Sequence, residues 1–375
     1  MSWRYLATRL HGDGTESLIA NEVPLSDVSL TSVLSGPDAL DAKVVPEVAR
    51  LKDDHGRPVF RAWSTAIYAE ADGRIRHGSI VVGTPADDSD LTVTGVGFTG
   101  YLSDMPYTST RSRVQTDPLV EVRHMWAHVQ GHKHGDLGVV LDNTRSPVRI
   151  GTKKKDVEFD TGAGEHVEFE AGPYKLNWWD TDDLAGEVDS LAEYTPFDYR
   201  MEHAWDGERI AHRLRLGYPS LGRRRHDLRF VVGENVVEVP KVSFSGDDYA
   251  SEVLLLGAGE GRKMTRGRAQ RSTDRLRRVA VITDGSLSSR KRADAAAEAD
   301  LRWRRGETDL SQIVVRNHPH ARVGSYVVGD DIFVQGMAGW GGDVGLWVRV
   351  IEIAVSPGES DDSTLTVIRS DKVGG

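Results

Sequence analysis

Through the first 110 residues, apolar positions alternate with polar or small ones. Val23/Leu25, Val28/Leu30, Ile80/Val82 and Leu91/Val93 keep a period of two, the spacing of half-buried β-strands. Turn chemistry separates them: SGPD at 35–38, DDHGRP at 53–58, ADG at 71–73 and TPADDSD at 84–90. Many short strands between regular turns predict a barrel or a sandwich. In LTVTGVGFTGYL at 91–102 the phase slips around Gly95, which predicts a β-bulge.

The period then lengthens. Leu119, Val122, Trp126 and Val129 form one helical stripe. Thr116 or Asp117 can cap this helix, Pro118 suits its first turn, and Gly131 or Gly135 ends it. A strand-like LGVVLD follows at 137–142, then a polar loop or hairpin at 145–172. A second helix buries Leu184, Val188, Leu191 and Ala192, with Asp180 as its cap and Asp182 and Asp183 at the positive end of its dipole. Thr195-Pro196 closes it, and FDYRMEHAW returns to strand. Strands continue through 207–256 around a loop at 217–227. A third, alanine-rich helix spans about Ser288 to Arg305, and strands resume from 311 to the end. The order is β, α/β, β, α, β, with no repeat of fixed period.

Composition narrows the function classes. At 375 residues the chain exceeds one ordinary core, and about two to four domains are expected. No apolar run approaches the roughly 18 residues of a membrane span, and MSWRYLATRLHGDG lacks the apolar centre of a secretory signal. The absence of cysteine excludes disulfides, thiolate zinc sites and cysteine nucleophiles. A net charge of −10 argues against general nucleic-acid binding, but 262–278 is locally basic, with eight Arg/Lys and one Asp. Arg262, Lys263, Arg266, Arg268 and Arg271 in this run are candidates for contact with an acidic protein surface. So are Arg290, Lys291 and Arg292, which stand in a helix first turn that disfavours cations. Trp340, in the glycine-rich QGMAGWGGD, is a candidate exposed aromatic contact. Trp178, Trp179 and Trp205 are assigned to the core.

Each candidate chemistry has a simpler reading. LLLGAGEGR at 254–262 resembles a phosphate-cradling loop, but RKMTRGRAQ follows it in place of an apolar helical stripe, and the third glycine of G-x-G-x-x-G is missing. A strand ending in a flexible turn fits better. His124, His128 and His132 share a helix face opposite the apolar stripe, facing water or a partner. His124 and His128 are the metal candidates, yet the Glu of H-E-x-x-H is absent. His318 and His320 are two loop histidines around a proline. The acidic DTDDLAGEVD is explained by capping, and GSLSS at 285–289 is a helix cap rather than a nucleophile elbow. No catalytic constellation and no cofactor site emerges, which suggests a structural or assembly role.

The order and spacing of several segments carry a resemblance: LSGPDAL, IYAEADGRIRHGSIV, DPLVEVRHMWAHVQ, WWDTDDLAGEVDSLAEYTPFDYRMEHAW, LGYPSLGRRRHDLRFVVGENV and SSRKRADAAAEADLRWR. Over nearly its whole length the chain resembles the hub, or minor tail, proteins at the tail tip of long-tailed bacteriophages, especially those infecting actinobacteria. That resemblance implies a mixed β and α+β protein with two β-barrel domains and two smaller α/β domains. Mapped onto the strands and helices, the first barrel is 1–112 and the first α/β domain 113–205. The second barrel combines 206–246 with 309–375, and 247–308 is the second α/β insertion. The resemblance also implies a homotrimer whose six barrels adapt the sixfold tail tube and distal-tail ring to a threefold tip. The implied partners are the distal tail protein, the tape measure protein and other tail-tip or receptor-binding proteins. DNA would only pass through the lumen, and no stable membrane insertion is implied. The chain would be made in the bacterial host cytoplasm and reside in the virion. It stops soon after the last barrel, without the long C-terminal extension that carries a peptidase or fibre in some relatives, so no enzymatic activity is expected. The alternatives are a hub-like protein with cell-wall hydrolase activity and a metal-binding module built on His124 and His128.

Overall fold

Alternation in the N-terminal region gives seven strands, β1 (Trp3–Leu10), β2 (Glu16–Ala20), β3 (Ser26–Val33), β4 (Ala39–Val44), β5 (Thr65–Ala71), β6 (Arg74–Gly83) and β7 (Leu91–Gly97), with a one-turn helix α1 (Pro46–Ala49) between β4 and β5. The structure, a computed structural model, describes residues 2–85, 91–153, 155–160, 166–238, 240–243, 249–285, 287, 289–304, 309–337, 339, 342–358 and 361–370. In β5 every residue is buried, although half-buried strands were expected. One face of the sheet, with Ala7, Ile67, Ala69, Val81 and Val93, lines the interior of this first lobe. The other face, with Leu6, Ala66, Tyr68 and Ile80, is covered by helices and strands from later in the chain. The irregularity foreseen at Gly95 lies on the opposing strand. β6 shifts register between Val81 and Gly83 while its partners, Gly95 and Thr94, stay in phase. Gly95 is required by space: a Cβ there would lie 2.9 Å from that of Ser79.

The middle of the chain contributes β8 (Thr110–Arg113), α2 (Pro118–Gln130), β9 (Val139–Leu141), the antiparallel hairpin β10 (Lys155–Asp160) and β11 (His166–Ala171), β12 (Tyr174–Asn177), α3 (Leu184–Tyr194), β13 (Asp198–Asp206) and β14 (Arg209–Gly217). Asp117 caps α2, accepting the N–H of Leu119 at 3.0 Å and holding Ser146 through both carboxylate oxygens, and Pro118 opens the first turn. Leu119, Val122, Met125, Trp126 and Val129 are buried against Leu184, Val188 and Leu191 of α3 and the outer face of the first lobe. The cap of α3 is Asp183, not Asp180. Asp183 accepts from Ala185 and also from the N–H of Asp104, whereas Asp180 accepts from Asn177 in the preceding turn.

The remaining elements are β15 (Phe230–Val231), β16 (Lys241–Ser243), β17 (Glu252–Leu256), β18 (Arg266–Gln270), β19 (Val279–Thr283), α4 (Arg290–Trp303), β20 (Asp309–Val315), β21 (Asp331–Met337), β22 (Asp343–Val355) and β23 (Ser363–Arg369). β15, β16 and β20–β23 surround a second lobe filled by Phe230, Val236, Leu310, Ile313, Ile332, Val334, Val348, Val350 and Leu365. β17–β19 and α4 form a small unit with its own core of Val253, Leu255, Ala269, Ala293, Ala297 and Leu301.

The two lobes share one 13-stranded sheet, whose main path runs β16-β20-β23-β22-β3-β4-β7-β6-β5-β1-β2, with β21 and β15 branching from β22. β22 makes the join. Its first half, 343–349, pairs with β21, and its last four residues, Glu352–Val355, pair with Val33–Leu30 of β3. A register shift against β23 falls between Val350 and Glu352, and the carbonyl of the intervening Ile351 accepts from Leu34 at 2.8 Å. A bulge sharpens strand bend and twist, and here it directs one strand out of the second lobe into the first. Two closed barrels were expected. Among the described residues neither lobe closes into an uninterrupted ladder, and the last four residues of β22 pair into the neighbouring lobe. In the second lobe only single bridges, Val232 to Val236 and Val236 to Val315, span the gap.

Candidate functional site

The basic segment belongs to the small β17–β19/α4 unit. β17 runs parallel to β19 and antiparallel to β18. At the end of β17 the glycines make a turn and one 3-10 turn (Gly261–Lys263), then enter β18. Gly257 is forced by space, since a Cβ would lie 2.3 Å from the Leu287 carbonyl, and Gly259 needs φ +106°. The Ala258 N–H donates to that same carbonyl at 2.9 Å, so the glycine turn packs beside the entrance to α4. This geometry brings Arg262 and Lys263 to the end of the unit that also holds Arg290, Lys291 and Arg292.

The candidate cations then divide. Arg268 and Arg277 both clamp the carboxylate of Glu252, at 2.7 and 2.6 Å, and that side chain is 2% exposed. Arg271 donates to the Ala250 and Arg304 carbonyls and lies over the Tyr249 ring. These arginines hold the unit together, and a charge-assisted bond to a buried carboxylate is about twice as strong as a neutral one. Arg262, Lys263, Arg266, Lys291 and Arg292 are exposed and have no ion pair among the described residues. Arg290 reaches Asp294 at 3.8 Å but stays 87% exposed. An outward basic edge results.

The histidine face of α2, expected to meet water or a partner, meets its own chain. His124 Nε2 lies 2.8 Å from the Tyr107 hydroxyl. His128 Nε2 accepts the Thr108 N–H at 3.1 Å, and His132 Nε2 lies 2.9 Å from the Thr108 hydroxyl. Partial burial pulls the affinity of His124 and His128 for protons below the ordinary imidazole value, so near pH 7 they are neutral and able to accept.

Trp178 and Trp179 correct the core assignment. They are 63% and 58% exposed and stand edge to face with centroids 5.4 Å apart. They occupy the turn after β12, past the last residue paired to β8, where no layer covers them. Trp205 is half-buried and donates to Glu70 at 2.8 Å. Trp340 lies outside the described residues.

Between the first lobe, β13 and the second lobe is a cavity of about 320 Å³, lined mainly by apolar side chains including Leu30, Ile75, Met201 and Ile353. Sequence reading gave no sign of it, because its walls come from segments as far apart as Trp3 and Ser363. Arg76 donates to the Gly324 carbonyl at 3.1 Å and Arg200 to that of Val328 at 2.9 Å, so both guanidiniums tie the second lobe down. On one wall His77 Nε2 lies 2.7 Å from Ser79 Oγ, the separation of a base and a nucleophile. Ser79 is 1% exposed, however, and His77 Nδ1 has no hydrogen-bond partner among the described residues. Burial pulls the His77 pKa down to about 4. Its neighbour His203 is also held well below the usual imidazole value, by burial first and then by His212 and His77. His203 Nδ1 lies 2.8 Å from His212 Nδ1. The cavity lies at the joint between the two lobes.

The 43 kDa tail protein of prophage MuSo2 from Shewanella oneidensis matches across 99% of this chain and 100% of its own, with a TM-score of 0.60 at 12% identity. The chain has the fold of phage tail proteins. A tail protein from Neisseria meningitidis matches at TM-score 0.55 and 14% identity, covering 98% of this chain and 97% of its own. A prophage tail protein from Listeria monocytogenes matches at TM-score 0.55 and 8% identity, covering 97% and 94%. No family model matches the sequence, and no curated protein matches it. These likenesses therefore lie in the path of the chain, not in its residues.

Proposed function

We propose that this chain is the structural hub of a phage tail tip, acting by assembly and not by catalysis. The observation that carries the reading is end-to-end coverage of phage tail proteins by a chain whose two lobes are fused through β22 and β3. The two lobes serve as two barrel-like units, the first within 1–112 and the second built from β15, β16 and β20–β23. The sequence boundary at 205/206 moves, because β14 pairs with β13 and β9; the α/β part between the lobes therefore runs on through Gly217, and it and 247–308 fill the outside. Three copies then present six similar units, and the ring so formed adapts the sixfold distal-tail ring and tail tube to a threefold tip. A heterologous interface closes only if the rotation between neighbours is fixed, and a lobe pair joined by backbone hydrogen bonds fixes half of the required angles inside each subunit.

The outward basic edge, Arg262, Lys263, Arg266, Arg290, Lys291 and Arg292, faces an acidic protein surface on a neighbouring copy, the distal tail protein or another tail-tip chain. Complementary charge of this kind sets register and speeds encounter. Exposed Trp178 and Trp179 form a second contact, as aromatics are enriched at interfaces. The net charge of −10 suits a lumen that passes the tape measure protein and DNA without gripping phosphate. Residence in the virion tail follows from the same reading. Sedimentation of the purified chain tests it: a species of three times the 41.3 kDa chain mass supports the hub, and a stable dimer overturns it.

A further inference from the structure

We propose that Glu234, His318 and His320, on the second lobe, form a binding site for one divalent transition-metal ion, with zinc as its probe. The donor atoms of the three side chains lie within 4.8 Å of one another, the only such group of three among the described residues. His320 Nδ1 and Glu234 Oε1 are 2.9 Å apart, and the two imidazole rings stand edge to face at 4.9 Å. Tetrahedral zinc with bonds of about 2.0–2.2 Å holds its donors roughly 3.3 Å apart. The group therefore needs to contract by no more than about 1.5 Å, a shift that side-chain rotation alone supplies in half-exposed residues.

The backbone beneath is fixed. Glu234 sits in the turn after β15, and the two histidines sit in the loop after β20. The Arg316 N–H donates to the Asn235 carbonyl at 2.8 Å and the Arg229 N–H to the His320 carbonyl at 3.3 Å, lacing the two loops together. Asn235 is fully buried, and its side chain holds the Val231 N–H and the Arg229 carbonyl. The Asn317 side chain accepts from Val323, and Ala321 N–H donates to His318 O. Pro319 fixes φ between the two ligands. Donors carried on such a cross-braced support are preorganised, which lowers the ordering cost of binding.

The donor set selects the ion. Two imidazole nitrogens and one carboxylate oxygen suit zinc, nickel or copper, whereas magnesium and calcium require mostly oxygen. Three protein ligands leave a fourth position for water. His318 Nδ1 accepts the His320 N–H at 3.3 Å and His320 Nδ1 meets Glu234 at 2.9 Å, whereas neither Nε2 is hydrogen-bonded among the described residues, so each ring keeps a nitrogen that rotation can turn toward a metal. A surface histidine–carboxylate hydrogen bond with no metal role is the competing account.

Titration calorimetry of the full chain with zinc chloride alone, in chelator-stripped buffer near neutral pH, decides between them. One saturable event with one zinc per chain is expected. His318→Ala and Glu234→Ala should each weaken it at least tenfold, since loss of even an outer partner typically costs 10–100-fold. His128→Ala, in the other histidine group, should leave it unchanged, and magnesium should not compete. X-ray absorption of the zinc-loaded wild-type chain gives a readout free of variants, and two imidazoles with oxygen completing the shell are expected. Absence of saturable binding, unchanged affinity in His318→Ala, loss of binding in His128→Ala, or a shell without two imidazoles would each overturn the proposal.

Discussion

Replacing Arg349 with Met tests whether the second lobe is locked against β13 by one buried ion pair. The Arg349 side chain is 6% exposed and that of Asp198 17%. Arg349 Nη2 donates to the Asp198 carboxylate and to the Leu221 carbonyl, the latter at 2.7 Å. Burial pushes the Asp198 carboxyl upward, and Arg349 is the main influence opposing that. Methionine preserves the aliphatic stem but leaves the carboxylate with only the Leu221 N–H, at 2.8 Å. Removing one partner of a buried pair costs about 3–5 kcal/mol. The remaining donor and partial exposure place this case near the lower end, about 3 kcal/mol, or roughly a hundredfold in the folding equilibrium. The loss should shrink as pH falls into the range where Asp198 takes up its proton, a range that burial raises above the ordinary carboxylate value. Without Arg349 the folded-state pKa of Asp198 rises further above its unfolded value, so the deficit grows as pH increases through that interval. Urea unfolding followed by tryptophan fluorescence reads the stability, and hydrogen exchange across 198–222 and 343–349 locates the opening. Asp198→Asn combined with Arg349→Met should recover most of the loss, because no unpaired charge stays buried. A single variant within about 0.5 kcal/mol of wild type, with the double variant no better, would refute the lock.

Three further outcomes are expected. His77, 3% exposed with a pKa of about 4 in the folded chain, should make the fold acid-sensitive. Its stabilising contribution is complete above the unfolded value of about 6.5 and falls by about 3 kcal/mol as pH drops to about 4. His203 acts in the same direction, and urea midpoints that stay flat over this window would contradict the assignment. Trp126→Ala, at a position 2% exposed between α2, α3 and the first lobe, should destabilise by about 3–5 kcal/mol in chemical denaturation; a loss under about 1 kcal/mol would show that the site collapses without cost. Asp117→Ala removes a helix cap and both bonds to Ser146, so a loss of about 2 kcal/mol is expected, with Asp117→Asn recovering part of it in the same assay.

Local signals were legible in the sequence. Asp117-Pro118 before a three-four-three apolar spacing gave the start and buried face of α2, and the glycine turn after LLLG was separable from a dinucleotide loop because no helix followed. What sequence concealed was long-range pairing. Nothing in LWVRVIEIAV shows that its last four residues join Leu30–Val33, since a strand reads the same whichever lobe it borders. That join is why one shared sheet is found where the resemblance implied separate barrels. It also accounts for the cavity at the junction. The tryptophans differ for a related reason: Trp178 and Trp179 follow a strand by sequence, but the β12–β8 ladder ends at the Asn177–Thr110 pair, and the turn that carries them lies beyond it. In the basic run, the separation of structural from outward arginines depends on Glu252, ten residues upstream of Arg262, and sequence spacing alone does not reveal that clamp. Glu234 was likewise invisible as a partner of His320, being 86 residues away.

Electron microscopy of the virion tail tip, with this chain labelled at an exposed loop, tests the central claim most directly. The account predicts a threefold ring in which each labelled subunit contributes two adjacent lobes, so that six similar densities abut the sixfold ring above. A label at any other place in the particle, or a ring built from six copies of the chain, would contradict it.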